Sequence, residues 1–315
     1  MDRNTPAGSE ARRANVVGLG LIGGSVALAL SARGWTVTGE DADPDRVDAA
    51  VLMGAIAAGG LDPDASLTFV ATPASAVPDL VKQALASTSG VVTDVASVKA
   101  PVAAAVTDER FCGGHPMAGS ELDGLDGADA AMFEGAVWVL TPTAATSDTT
   151  FATVARVVSD LGAEVVALPP ERHDALVAVV SHVPHLAAAA LMTMADERAE
   201  EHAALLRLAA GGFRDMTRIA AGQPGLWIDI CAENRPAIVE RWTPWSIAWA
   251  SSGGPLPTTS ATCSSPSSPG PAMPGSTSPA AWPRARTWPR SARLFPTAPA
   301  PRPRSSPWPP SSGST

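Results

Sequence analysis

Several short clusters in this chain combine residue types and spacings that suit chemistry. Gly18-Leu19-Gly20-Leu21-Ile22-Gly23 follows a short apolar strand and opens a helix. Glycine at the first position permits a tight turn, at the second lets the backbone approach a pyrophosphate, and at the third lets helix and strand pack closely. An anion placed there meets the unpaired N–H groups and the positive dipole end of the helix. Asp41, with Glu40 as the competing choice, lies where a carboxylate takes ribose hydroxyls, and its charge favours NAD over NADP. A flavin site, or an α/β domain that binds no nucleotide, is the alternative. Thr72-Pro73 and Ser97 fall at the ends of the next strand candidates and face the same crevice, although an ordinary turn also explains Thr72-Pro73.

The segment Gly113 to Glu121 reads as a glycine-punctuated loop carrying His115 and Glu121. With few core-forming neighbours, His115 reads as an acid/base group of near-neutral pKa rather than a packed histidine. His182 and His185, in Ser181-His182-Val183-Pro184-His185, are three apart and share one face of a helix. Two satisfied core histidines would explain the pair equally. A metal site would need His173 as third ligand, and no HExxH pattern accompanies it, so no metal is expected. Arg218 offers a planar fork for a carboxylate, whereas Arg214 reads as a solvated helix end.

The elements that must hold these groups are legible as apolar runs. Strands are expected at 15–18, 35–39, 67–71, 91–95, 136–140 and 164–168, with helices at about 23–32 and 77–85 between them. Val-rich, near-continuously apolar strands separated by helices predict a parallel sheet covered on both faces. After Pro169-Pro170 the pattern turns helical, over 171–194, 197–208 and 226–239. The fold class is therefore α/β, a Rossmann-type domain at 15–169 followed by an all-helical domain at 170–240, with residues 1–14 disordered.

Composition narrows the partners. The formal charge is −9 overall, but residues 241–315 hold seven Arg and no Asp, Glu or Lys, which leaves −16 for residues 1–240. An acidic body argues against nucleic acid. Three scattered cysteines, Cys112, Cys231 and Cys263, suggest a reducing compartment, and the polar start lacks a signal-peptide core; a cytoplasmic protein is expected. The most apolar stretch, 175–195, carries His182 and His185 at its centre, which a bilayer would resist. Residues 241–315 contain seventeen of the thirty Pro, sixteen Ser and six of the nine Trp. That composition reads as a disordered extension or as GC-rich codons translated out of frame, replacing the end of the helical domain.

Taken together, VVGLGLIGGS at the N-terminus, DVASVK at 94–99, GGHPMAGSE at 113–121, SHVPH at 181–185, FRDMTRIA at 213–220, Trp227 and the pair Asn234-Arg235 resemble the prephenate and arogenate dehydrogenases of tyrosine biosynthesis, over residues 15 to about 240. The resemblance implies an NAD-binding domain with a helical domain that completes the substrate site and forms a homodimer. In the family that interface is built by helices beyond the point where the tail begins. It implies that His115 bonds the substrate ring hydroxyl and that Ser97 holds that histidine or hydroxyl. It further implies that His185 and Glu121 line the pocket with His182 and Trp227, and that Arg218 grips a substrate carboxylate. The implied reaction is NAD-dependent oxidative decarboxylation of prephenate to 4-hydroxyphenylpyruvate. Arogenate as substrate, or an inactive NAD-binding remnant, are the alternatives. A 3-hydroxyacid dehydrogenase would use a helical-domain lysine, and the only lysines here are Lys82 and Lys99.

Overall fold

The computed structural model describes residues 12–252 except 121, 123, 200–203, 206 and 222–223, and for 198–199, 221, 224 and 244–252 it describes backbone alone. Eight strands form one sheet: β1 (Arg13–Val17), β2 (Thr36–Glu40), β3 (Ala58–Gly59), β4 (Leu67–Val70), β5 (Val91–Asp94), β6 (Phe111–Pro116), β7 (Val137–Thr141) and β8 (Glu164–Ala167). Their order is β3-β2-β1-β4-β5-β6-β7-β8. From β3 to β6 all neighbours are parallel, so the chain winds outward from β1 in both directions. The carboxyl ends of β1 and β4 therefore flank the crevice where ligands bind such sheets.

The central strands are apolar on both faces because helices cover both. α1 (Leu21–Ser31) and α5 (Asp148–Asp160) pack on one face around Val16, Phe69, Trp138, Val154, Val157 and Val158. α3 (Val77–Ser87) and α4 (Ala100–Ala105) cover the other with Val70, Val77, Val81, Val92 and Val102. Local chemistry sets the helix limits. Asp43 caps α2 (Pro44–Met53) by accepting from Asp45 N–H, with Pro44 in the first turn and Gly54 left-handed at the end. Ser147 caps α5 through Thr150 N–H.

From Pro170 the chain is helical: α6 (Pro170–Val177), a π-helical turn at Ala178–His182, α7 (Val183–Ala199), α8 (Gly211–Thr217), a 3-10 turn at Arg218–Ala221, α9 (Pro224–Glu233) and α10 (Arg235–Ser252). In a regular helix each residue turns about 100°, so the nine steps from His173 to His182 would leave them on opposite sides. The wide turn absorbs roughly one residue of rotation and returns His182 to the side of His173, and both are buried.

Several expectations are corrected. The sheet is not wholly parallel, since β7 runs antiparallel to β6. β1 begins at Arg13, two residues early. Residues 113–116 are not loop but the buried end of β6. The helix expected at 197–208 is replaced by α7 ending at Ala199, with 204, 205 and 207 in turns. The helix expected at 226–239 is two helices broken at Asn234, whose side chain is committed elsewhere. α10 continues past Arg241, where composition changes, to Ser252, so the first residues of the Pro-rich segment are helical. The remainder, 253–315, and the N-terminal residues 1–11 lie outside the described residues.

Candidate active site

The glycine-rich turn sits in the crevice between β1 and β4. Gly18 has φ +93°, a left-handed conformation that a side chain would strain, and its N–H donates to the carbonyl of Glu40 at 2.7 Å. A Cβ at Gly23 would collide with the carbonyl oxygen of Gly18, so only glycine lets α1 start this close to the strand. Around Gly20 the space is open, and the N-terminus of α1 has no side-chain cap. The first-turn N–H groups, from Leu21, Ile22 and Gly23, are thus left for an outside acceptor. Asp41 reaches back to this turn: one carboxylate oxygen accepts from Leu19 N–H at 2.7 Å, the other from Asp43 N–H at 2.9 Å. Thr72, at the end of β4, has a buried hydroxyl with no partner among the described residues, beside Gly18. An uncapped helix end, an open glycine, a carboxylate and an orphaned hydroxyl fit a dinucleotide. Pro73 is exposed in the same loop, and Ser75 N–H, two residues on, donates to Asp229 of α9 at 3.0 Å.

A second constellation lies where the carboxyl ends of β5 and β6 meet the helical layer. His115 is buried near the end of β6 and its Nδ1 lies 2.8 Å from Nε2 of His173, with the rings edge to face. His173 Nδ1 is 2.7 Å from Oδ1 of Asp174. Asp174 accepts in turn from the backbone N–H groups of Lys99 and Ala100, both at 2.8 Å, which pins α6 onto the start of α4. Below this, the fully buried Lys99 ammonium pairs with Asp94 and donates to the carbonyl of Gly114 at 2.8 Å, one residue before His115. Asp94 also accepts from Gly114 N–H at 3.1 Å and Ala96 N–H at 3.1 Å. Such a dense buried network fixes the strand end that carries His115.

The helical layer supplies the rest. His182 and His185 do share a face, and both lie against the half-buried Trp227 of α9. His185 is stacked on its ring at 3.4 Å and 8°, and His182 is edge-on at 6.0 Å. Asn234 at the α9–α10 break donates to the carbonyl of Asp174 at 3.0 Å and lies 3.1 Å from His182 Nδ1, so it holds both histidine pairs together. Arg218 opens the 3-10 turn with its side chain exposed and makes no ion pair among the described residues.

Burial sets the charge states. It pushes the His115 imidazole well below the usual histidine value, and His173, Lys99 and His182 nearby act the same way. Burial likewise lowers His182 to about 4, against a partial opposing pull from Asp174. His185 is lowered less simply, because burial is opposed by a backbone hydrogen bond with Ile219. All three histidines are therefore neutral at physiological pH, and the near-neutral value expected of His115 is corrected downward. Lys99 is lowered by burial although Asp94 opposes it.

The structure thus brings His115, His182, His185 and Trp227 to one side of the sheet and Gly18, Gly20, Gly23, Asp41 and Thr72 to its carboxyl edge. Ser97 lies in the turn after β5, and among the described residues it makes no hydrogen bond to His115, whose Nδ1 is taken by His173. Glu121 lies outside the described residues. His173, expected only as a possible metal ligand, has both ring nitrogens committed to side chains. Asp94, Lys99, His173, Asp174 and Asn234 carry site geometry that spacing alone did not single out. The available signals were weak: a carboxylate and an ammonium five residues apart at a strand end, and a His-Asp pair in the polar first half of a helix.

Residues 26–167 match the family model for the prephenate dehydrogenase nucleotide-binding domain, and 169–249 match the prephenate dehydrogenase dimerization domain. The chain belongs to the prephenate dehydrogenase family. The prephenate dehydrogenase of Bacillus subtilis (strain 168) is 36% identical over 248 residues, which are 73% of this chain and 66% of that relative. The chain therefore spans about two thirds of that family member's length. A cyclohexadienyl dehydrogenase of Zymomonas mobilis is 33% identical over 239 residues, 71% of this chain and 81% of its own. Among solved members of the family, the prephenate dehydrogenase of A. aeolicus in complex with hydroxyphenyl propionate and NAD+ superposes with a TM-score of 0.72 at 30% identity, covering 78% of this chain and 90% of that one. The Synechocystis arogenate dehydrogenase does so with 0.64 at 32%, covering 76% and 90%.

Proposed function

We propose that this chain is an NAD-dependent prephenate dehydrogenase that converts prephenate to 4-hydroxyphenylpyruvate with loss of CO₂. The observation that carries this reading is a neutral, buried His115 at the carboxyl edge of the nucleotide-binding sheet, facing the His182–His185–Trp227 cluster of the helical layer. The matched nucleotide-binding model and the NAD+-bound A. aeolicus relative support the cofactor. Gly18, Gly20, Gly23 and the first-turn N–H groups of α1 would hold the pyrophosphate, and Asp41 the ribose.

Bound NAD+ supplies the hydride acceptor. His115 takes the proton of the ring hydroxyl as the carbinol carbon becomes a ketone; a neutral imidazole is the form able to do so. Loss of the ring carboxylate then leaves an aromatic product, which drives the reaction forward. Arg218 offsets the repulsion between a dianionic substrate and an acidic protein and grips one carboxylate. Trp227 and His185, stacked, present a flat wall to the ring. Ser97 and Glu121 complete the pocket lining in this reading.

The protein is read as a cytoplasmic homodimer. The dimerization model covers 169–249, and Val179, Val180, Met194, Ile228 and Val239 are exposed on the helical layer. Residues Pro170–Glu197 are long and apolar enough to cross a membrane. His173, Asp174 and His182 within that run are buried and bonded to the sheet domain and Asn234, which supports a packed helix instead. The test is NADH formation by the purified full chain with prephenate, with arogenate and NADP+ run in parallel and sedimentation recording mass. Turnover of prephenate with NAD+ is expected. Turnover of arogenate alone would correct the substrate, and NAD+ binding without any turnover would overturn the enzymatic reading.

A further inference from the structure

We infer that His173 is a positioning residue that, anchored by Asp174, fixes the tautomer of His115 so that its Nε2 carries the free lone pair. This rests on the reading of His115 as the base. The geometry runs one way through three bonds. Both oxygens of Asp174 accept backbone N–H groups, from Lys99 and Ala100 at 2.8 Å, the arrangement that suits an acceptor-only carboxylate. His173 Nδ1, 2.7 Å from Oδ1, must then be the donor. When His173 is neutral its one N–H is used there, and its Nε2 accepts. Its partner at 2.8 Å, His115 Nδ1, must therefore donate. The single proton of neutral His115 is used there, and Nε2 is left bare to receive the substrate proton.

The same chain supports the charge that results. When Nε2 takes the hydroxyl proton, His115 becomes an imidazolium whose Nδ1–H still points at a lone pair, with the Asp174 carboxylate one ring behind. The charged and titratable groups packed around His115 are His173, His182 and the Lys99–Asp94 pair. Of these, only His173 bonds its ring, and it does so in the sense that favours Nδ1–H. Such control of ring orientation and tautomer by a carboxylate-anchored partner is a recurring way to prepare a histidine base.

The test uses the full-length chain labelled with ¹⁵N-histidine, whose ring nitrogens are read by long-range ¹H–¹⁵N correlation and assigned with His115→Asn and His173→Gln variants. The expected native signature is His115 protonated at Nδ1 and bare at Nε2. In His173→Gln the amide can hold the ring by donating or accepting, so His115 should show a mixture of tautomers. In that variant kcat should fall about tenfold, and in His173→Leu about a hundredfold, within the range for impaired base catalysis, with KM and NAD+ affinity little changed. A His115 protonated at Nε2 in the native chain overturns the inference, as does an identical tautomer in His173→Gln. Equal loss of cofactor affinity and turnover in both variants would mark a purely structural role and overturn it too. If the native chain oxidises neither prephenate nor arogenate, the functional reading fails while the ring signals still decide the tautomer.

Discussion

The buried, neutral His182 should make the fold acid-sensitive in a window that can be calculated. Its ring is 1% exposed, and its Nδ1 accepts from Asn234, which a protonated ring could no longer allow. The folded value of about 4 lies below the ordinary 6.5 of the unfolded chain. Between those pH values the unfolded chain binds more protons, so the contribution is complete above about 6.5 and lost as pH falls toward 4. Integrating that difference gives a loss of about 2 kcal/mol between pH 7 and pH 5, and about 3 kcal/mol by pH 4. The perturbation is His182→Asn, whose side-chain oxygen can stand near the position of Nδ1 and accept from Asn234 but never titrates. Urea unfolding followed by Trp fluorescence at pH 7 and pH 5 measures both proteins. The native chain should lose about 2 kcal/mol more than the variant over that interval. His115 is present in both and cancels. Parallel pH dependence of the two would refute the argument that burial holds His182 neutral.

Further outcomes follow from the site. His115→Asn should lower kcat by about 10²–10⁴-fold with little change in KM, whereas Arg218→Ala should mainly raise KM; steady-state kinetics with prephenate separates them, and reversed effects would mean reversed roles. Gly23→Ala forces a methyl against the Gly18 carbonyl, so thermal unfolding should show a loss of about 1–3 kcal/mol with weakened NAD+ binding by calorimetry. Asp41→Asn keeps an acceptor for Leu19 N–H but removes the charge, and should shift the kcat/KM ratio toward NADP+ by roughly tenfold, about 1.4 kcal/mol.

What the sequence made legible was local. The glycine turn, its strand and the carboxylate at the end of the next strand are set by short-range geometry. The β6 end was hidden because Gly113 and Gly114 interrupt the apolar pattern, while the groups that pack on that strand, Asp94, Lys99 and Trp138, come from elsewhere in the chain. The direction of β7 was hidden too, since an apolar run does not say which way it points. His173 and Asp174 look like ordinary helix polar residues until the fold brings β6 against them across 58 positions of sequence. The acidity of His115 was misjudged for the same reason, as its burial comes entirely from distant segments.

The π-helical turn at Ala178–His182 gives the protein a different kind of vulnerability. The face shared by the histidines is stored in the winding between them, not only in their identities. Deleting Val180, at an exposed position, would leave eight regular steps of about 100° each and keep His173 and His182 on one side. Keeping all nine steps but winding them regularly would swing everything before the turn by about 100° relative to everything after. The histidines would all remain in the chain and the helix would remain a helix, but His173 and His182 would look in opposite directions. The winding of this one turn is thus a trait separate from residue identity, and losing it would erase the site without changing one of its letters.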